Sequence, residues 1–119
     1  VAKAYGMIQP GESDTKAVRA VFYIDPKGVI RAMIYYPLSL GRNFDEIYRA
    51  LVALQTADAF GVALPADWRP GDDVIVSPAA NCSSAKNRME GKEDMVCQDW
   101  FFCSRKLDKE KVLAAVLKK

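Results

Sequence analysis

Three cysteines and no histidine define the chemistry open to this chain. Cys97 and Cys103 bracket Trp100, Phe101 and Phe102 in the segment CQDWFFC. Thiols can bind metal, form disulfides or act as redox nucleophiles. With three thiols, no imidazole and no Cys-x-x-Cys spacing, the ligand set of a structural zinc site is missing. Two meanings remain for the pair. Either both are inert thiols buried among the aromatics, as free cysteines often are, or one intercepts a sulfenic acid to give a disulfide that is later reduced. Cys82, in AANCSS, reads as an adventitious thiol, because a lone cysteine seldom has the electropositive setting that makes it reactive. Arg19 lies within an alternating apolar run and Arg42 within LGRN. Their plain readings are a strand arginine paired with a surface carboxylate and a solvated loop arginine. The alternative for each is a fork of permanent donors that holds an oxygen-rich ligand.

The elements that would position these groups are clearest from Val18 to Arg49. Val18, Ala20, Phe22 and Ile24 alternate with Arg19, Val21 and Tyr23, and the β-branched and aromatic content predicts a strand largely buried on both faces. Asp25-Pro26-Lys27-Gly28 is a turn, with proline where φ must be near −65° and glycine last, so Val29–Tyr36 returns as a second, antiparallel strand. Asn43 can cap a helix, with Glu46 three residues on to complete a capping box. Phe44, Ile47, Leu51 and Leu54 then form one apolar stripe expected to face the sheet, and Gly61 is the stop. Tyr35, Tyr36 and Pro37 read as the edge of the second strand.

From Gly61 to Pro70 the helix gives way to a Pro- and Gly-containing arm, the natural boundary of the chain. Asp73–Val76 is a short strand, Ser83–Met89 a short helix capped by Ser83 or Ser84, and Asp108–Lys119 a terminal helix with Asp108 as its cap. Trp68 reads as an ordinary core aromatic that seats the arm.

Composition bounds the partners. Lys and Arg number 17 against 15 Asp and Glu, for a net charge of +2, so there is no basic footprint for nucleic acid. No apolar run approaches the ~20 residues needed to span a membrane, no signal-peptide pattern is visible, and no repeat or low-complexity tract occurs.

Four segments in order carry a resemblance: VRAVFYID, IYYPLSLGRNFDEIYRALVALQ, VALPADWRPGDDVIV and, further on, CQDWFFC. Together they resemble the second half of a peroxiredoxin of the alkyl hydroperoxide reductase and thiol-specific antioxidant superfamily. The paired-cysteine tail is similar to that of the archaeal and thermophilic bacterial branch with a one-cysteine-like core. Peroxiredoxins carry their attacking cysteine in Pro-x-x-x-Thr/Ser-x-x-Cys, and none of the cysteines here fits: Ala79, Asp94 and Trp100 stand three residues before Cys82, Cys97 and Cys103. Nor does a cysteine precede PADW, where typical two-cysteine members have their resolving thiol; Leu64 stands there. The chain therefore reads as a C-terminal fragment. Residues 1–61 would be half of a thioredoxin-like α/β core, with VAKAYGM closing a core helix, and residues 62–119 a dimerisation arm.

The resemblance implies a thiol peroxidase acting on hydrogen peroxide and alkyl hydroperoxides, without a cofactor or metal. Arg19 would face the attacking thiolate, lowering its pKa and holding the peroxide oxygens, and Arg42 would support the same pocket. Cys103 would be the resolving thiol, acting on a partner subunit's sulfenic acid, with Cys97 able to form a disulfide with Cys103 as a second step. The aromatics between them would anchor the arm. A thioredoxin- or glutaredoxin-like reductant, a cytoplasmic setting and a homodimer, extendable to a ring through the edge of the second strand, complete the expectation. The competing reading is a non-catalytic module that dimerises or binds full-length subunits.

Overall fold

The Asp25 turn forms as its residue types dictate. Asp25 Oδ1 accepts from the backbone N–H groups of Lys27 and Val29, both at 2.9 Å, and the Gly28 N–H donates to Asp25 O at 2.9 Å. Gly28 sits at φ +82°, a conformation that costs residues bearing a Cβ. The turn joins β1 (Arg19–Ile24) to β2 (Ile30–Tyr36) in an antiparallel pair with Arg19 opposite Tyr36 and Tyr23 opposite Ala32. A register shift between Tyr23 and Ile24 accommodates the glycine turn.

The computed structural model describes residues 1–13 and 15–117. They fall into two compact units, Val1–Tyr48 and Arg49–Lys119. In the first, an N-terminal turn, closed by hydrogen bonds from Tyr5 to Val1 and from Met7 to Ala2, packs on the hairpin through aromatic edges. Tyr5 meets Phe22 at 5.1 Å between ring centroids, and Phe22 meets Tyr35 at 5.7 Å. Tyr35 Oη also donates to Tyr5 O. VAKAYGM is thus a turn, too short to register as a helix. The first strand is less enclosed than its composition implies: only Tyr23 within it is buried, because a two-stranded ribbon leaves one side of each strand open.

Helix α1 (Phe44–Phe60) starts at Asn43, whose Oδ1 accepts from the Glu46 N–H at 3.1 Å. It ends at Gly61, at φ +61°, whose N–H reaches Ala57 O. The buried side of the helix is not the expected stripe. Val52 and Thr56 are enclosed, whereas Phe44 is 75% and Leu51 44% exposed. Thr56 tolerates burial because its hydroxyl donates to Val52 O at 2.7 Å.

The second unit is built on a four-stranded antiparallel sheet, β3 (Val62–Ala63), β4 (Asp73–Val76), β5 (Val96–Asp99) and β6 (Phe102–Lys106), in the order β3-β4-β6-β5. Its core joins Val52, Val62, Trp68, Val74, Leu107 and Val112. Trp68 is a core aromatic, 1% exposed, with its Nε1 donating to Asp72 O and its carbonyl accepting from Arg49. Helix α2 (Cys82–Met89) is capped two to three residues earlier than expected: Asn81 Oδ1 accepts from Ser84 N at 2.8 Å, and the Ser84 side chain returns to the Asn81 N–H. Asn81 has the extended backbone a cap requires, whereas Ser83 and Ser84 lie inside the helix. Helix α3 (Lys109–Leu117) follows Asp108 and buries Val112; Lys118 and Lys119 of the expected helix lie outside the described residues.

Candidate redox site

Strand pairing makes the cysteine pair. Cys97 on β5 and Cys103 on β6 are direct cross-strand partners, their Cα atoms 4.0 Å apart, and they form a disulfide. Directly opposed residues of an antiparallel pair present their side chains on the same face at close range, so the bridge needs no displacement of either strand. The inert-thiol reading fails here, since the two sulfurs are bonded to each other. The members differ in access: Cys103 is fully buried and Cys97 half-buried.

The aromatics do not enclose the pair, as the inert-thiol reading would have them do. Trp100 and Phe101 form the β5–β6 turn and Phe102 opens β6; all three are exposed, with Trp100 and Phe101 edge to face at 5.6 Å. The turn is held by Asp99, whose Oδ1 accepts from the Trp100 N–H at 2.7 Å. Cys82 is a free, exposed thiol at the start of α2.

Arg19 stands at the exposed first position of β1. Its Nε donates to Leu38 O at 3.2 Å, and among the described residues no carboxylate pairs with it, so the surface ion-pair reading does not describe it. Leu38 belongs to the loop that also carries Arg42. That loop is itself anchored, the Leu38 N–H donating to Glu12 Oε2 at 3.2 Å. Arg42 is exposed and makes no hydrogen bond or ion pair among the described residues. One loop therefore orients Arg19 through its backbone and presents Arg42, and both guanidinium groups keep free donors. The arginines belong to the first unit and the disulfide to the second, and each group is complete within its own unit.

Arg88 and Arg105 were not singled out by sequence, and both bury a guanidinium Nε without a hydrogen-bond acceptor. For Arg105 the legible signal is its place two residues beyond Cys103, which matters only once that segment is known to be a strand. Among the described residues no group of three or more His, Cys, Asp or Glu side chains could hold a metal ion, and no helix is long and apolar enough to cross a membrane.

A mixed α/β chain with a disulfide-forming cysteine pair is the class these features define. Comparison with known proteins narrows it. Residues 53–92 match the family model described as the C-terminal domain of 1-Cys peroxiredoxin. A peroxiredoxin of Methanosarcina mazei is 55% identical over 108 residues, covering 89% of this chain and 49% of that protein. A peroxiredoxin of Thermotoga maritima is 50% identical over 111 residues, covering 90% and 51%. Among solved structures, a yeast mitochondrial 1-Cys peroxiredoxin studied for thiol resolution via glutathione/thioredoxin systems is similar with a TM-score of 0.71 and 34% identity, over 89% of this chain and 51% of that one. Peroxiredoxin 6 of Arenicola marina follows with 0.67 and 32%, over 89% and 51%. The chain belongs to the peroxiredoxin family and spans about half the length of the curated relatives it matches.

Proposed function

We propose that this chain is the C-terminal part of a thiol peroxidase that reduces hydrogen peroxide and alkyl hydroperoxides, and that Cys103 resolves the sulfenic acid formed on an attacking cysteine elsewhere in the protein. The observation that carries the reading is the direct cross-strand opposition of Cys97 and Cys103. In the first step a thiolate attacks the peroxide O–O bond, releasing water or an alcohol and becoming a sulfenic acid. Arg19 serves that step with a permanent cation and a planar fork of donors, and Arg42 adds positive charge from the same loop. The Cys103 thiolate then displaces the sulfenic oxygen as water, giving an intersubunit disulfide. Cys97 attacks Cys103 in turn, freeing the attacking cysteine and closing the Cys97–Cys103 bridge. A thioredoxin- or glutaredoxin-like dithiol reduces that bridge in a cytoplasmic homodimer, and residues 62–119 form the dimerisation arm.

The test uses the full-length protein and non-reducing electrophoresis with peptide mapping. Peroxide should yield a disulfide-linked dimer through Cys103 that dithiothreitol reverses. Cys103→Ser should abolish it and let the sulfenic acid proceed to sulfinic acid, Cys97→Ser should leave the first disulfide but block the transfer, and Cys82→Ser should change nothing. A linked dimer at unchanged yield in Cys103→Ser would remove the resolving role from Cys103. Peroxide turnover by this 119-residue chain alone should not exceed that of an ordinary free thiol, since no cysteine in it has the attacking-cysteine motif.

A further inference from the structure

Arg88 and Arg105 both bury an Nε–H that finds no acceptor, an arrangement costly enough to call for a reason. Arg88 has other engagements. Its terminal nitrogen donates to Ser77 O at 2.8 Å, and its Nε lies 3.6 Å from Glu93 Oε2. Arg105 has no hydrogen bond or ion pair among the described residues. It stands on β6 two residues past Cys103, and alternation along a strand puts the two on one face. The register agrees: Cys103 pairs with Val76 and Arg105 with Val74, which is wholly buried in the core. Two residues of strand separate their Cα atoms by about 6.6 Å, a span an arginine side chain covers. Arg105 also lines a cavity of about 920 Å³ with Asp73, Glu93, Asp94, Lys106 and Lys111; the lining includes neither Cys97 nor Cys103.

We propose that Arg105 is the counter-cation of the Cys103 thiolate: a donor without an acceptor while the Cys97–Cys103 disulfide is closed, and supplied with one when it opens. The inference rests on the reading of this pair as redox-active and deepens it. A buried thiol resists ionisation in apolar surroundings, and a nearby guanidinium offsets that resistance. The electron count is simple. One thiolate of a dithiol reductant attacks Sγ of Cys97, the more accessible member. The bond from reductant to Cys97 forms, the Cys97–Cys103 bond breaks, and the electron pair leaves on Cys103 beside Arg105. The reductant's second thiolate then attacks its own mixed-disulfide sulfur and releases Cys97. The reductant ends as a cyclic disulfide, having given two electrons, and its protons pass to solvent and Cys97. Stabilising the departing Cys103 thiolate makes this bridge easier to open, and the same thiolate is the species that resolves a sulfenic acid.

Of the other charged groups lining that cavity, Glu93 is paired with Arg88 and Lys111 with Asp108, whereas Asp73, Asp94 and Lys106 have no ion pair among the described residues. On β5, the Asp99 carboxylate accepts from Trp100, and Cys97 is the bridge partner. On β4, Asp73 pairs in register with Lys106, one position out of phase with Cys103 and Arg105. Arg88 of α2 is held by Ser77 and Glu93. The enclosed residues of α1 and α3, Val52, Thr56 and Val112, are uncharged.

The test is a titration of this chain with Cys82→Ser and Cys97→Ser, so that Cys103 is the single thiol, followed by thiolate absorbance at 240 nm. Replacing Arg105 by a neutral side chain of similar length, Arg105→Met, removes the stabilisation of the charged form. It should therefore move the midpoint to higher pH, by about one unit. Arg105→Lys should restore most of it, and Arg88→Met should move it less. In the chain with Cys97 and Cys103 intact, equilibration with dithiothreitol at pH 8 should leave Arg105→Met severalfold more oxidised than its parent. If Arg105→Met does not fold, Arg105→Gln carries the same comparison. A midpoint within 0.3 unit of the parent's, or a larger shift from Arg88→Met than from Arg105→Met, overturns the assignment. No peroxide enters these measurements. A full-length protein that forms no linked dimer while the midpoint shift persists loses the resolving role and keeps Arg105 as the counter-cation.

Discussion

Arg19 and Arg105 carry the same group in opposite settings. Among the described residues Arg19 is exposed and engaged by one carbonyl alone, whereas Arg105 has a buried Nε and no acceptor. An exposed guanidinium gains little from an isolated surface charge in water, so what Arg19 can add is directional: a planar fork set by the Leu38 carbonyl. If it holds the oxygens of a peroxide, charge alone will not replace it. Arg19→Lys in the full-length protein should slow oxidation of the attacking thiol by roughly tenfold or more, since a lost charge-assisted contact is worth about 1.5 kcal/mol or above. Stopped-flow measurement decides, and a rate within twofold of the parent's would reduce Arg19 to a structural residue.

At the scale of elements, what was legible in the sequence is what local chemistry determines. The Asp25–Gly28 turn, the Asn43 cap and the Gly61 stop each depend on a residue type at one position, and each forms. Asn43→Ala should therefore cost about 1 kcal/mol of stability, read as a lowered urea midpoint. What escaped depends on partners distant in sequence. The side of α1 that is enclosed, Val52 and Thr56, is chosen by Val62, Trp68 and Val74 around it, and the stripe from Phe44 to Leu54 gave no sign of that. Strands β5 and β6 are too short and too interrupted by Trp100 and Phe101 to show period-two patterning. The Cys97–Cys103 bridge was thus accessible only through resemblance, and Arg105 not at all. Trp68 was legible as a core residue, and its burial sets a larger effect: Trp68→Ala should destabilise by about 3–5 kcal/mol, enough to broaden or abolish a cooperative thermal transition.

For the whole molecule the deciding quantity is apolar surface left in water. Along α1, Phe44, Tyr48 and Leu51 are 75%, 60% and 44% exposed at helical spacing, and on β2 Met33 is 54% exposed. Soluble monomers rarely leave contiguous apolar patches beyond a few hundred Å² uncovered. At ~25 cal/mol per Å² of apolar area removed from water, covering even 200 Å² would give ~5 kcal/mol before the entropic cost of association. The net charge of +2 supplies little repulsion to oppose this. The 119-residue chain by itself should therefore self-associate at micromolar concentration, with a sedimentation coefficient that rises with loading. Phe44→Glu combined with Tyr48→Glu should return it toward a monomer by placing charge in the contact, while the hairpin and the disulfide-bearing sheet stay folded by circular dichroism. A parent chain that sediments as a monomer across a hundredfold range of concentration and melts in one cooperative step would show that this helix face is stable against water, and that packing elsewhere suffices to hold the fold.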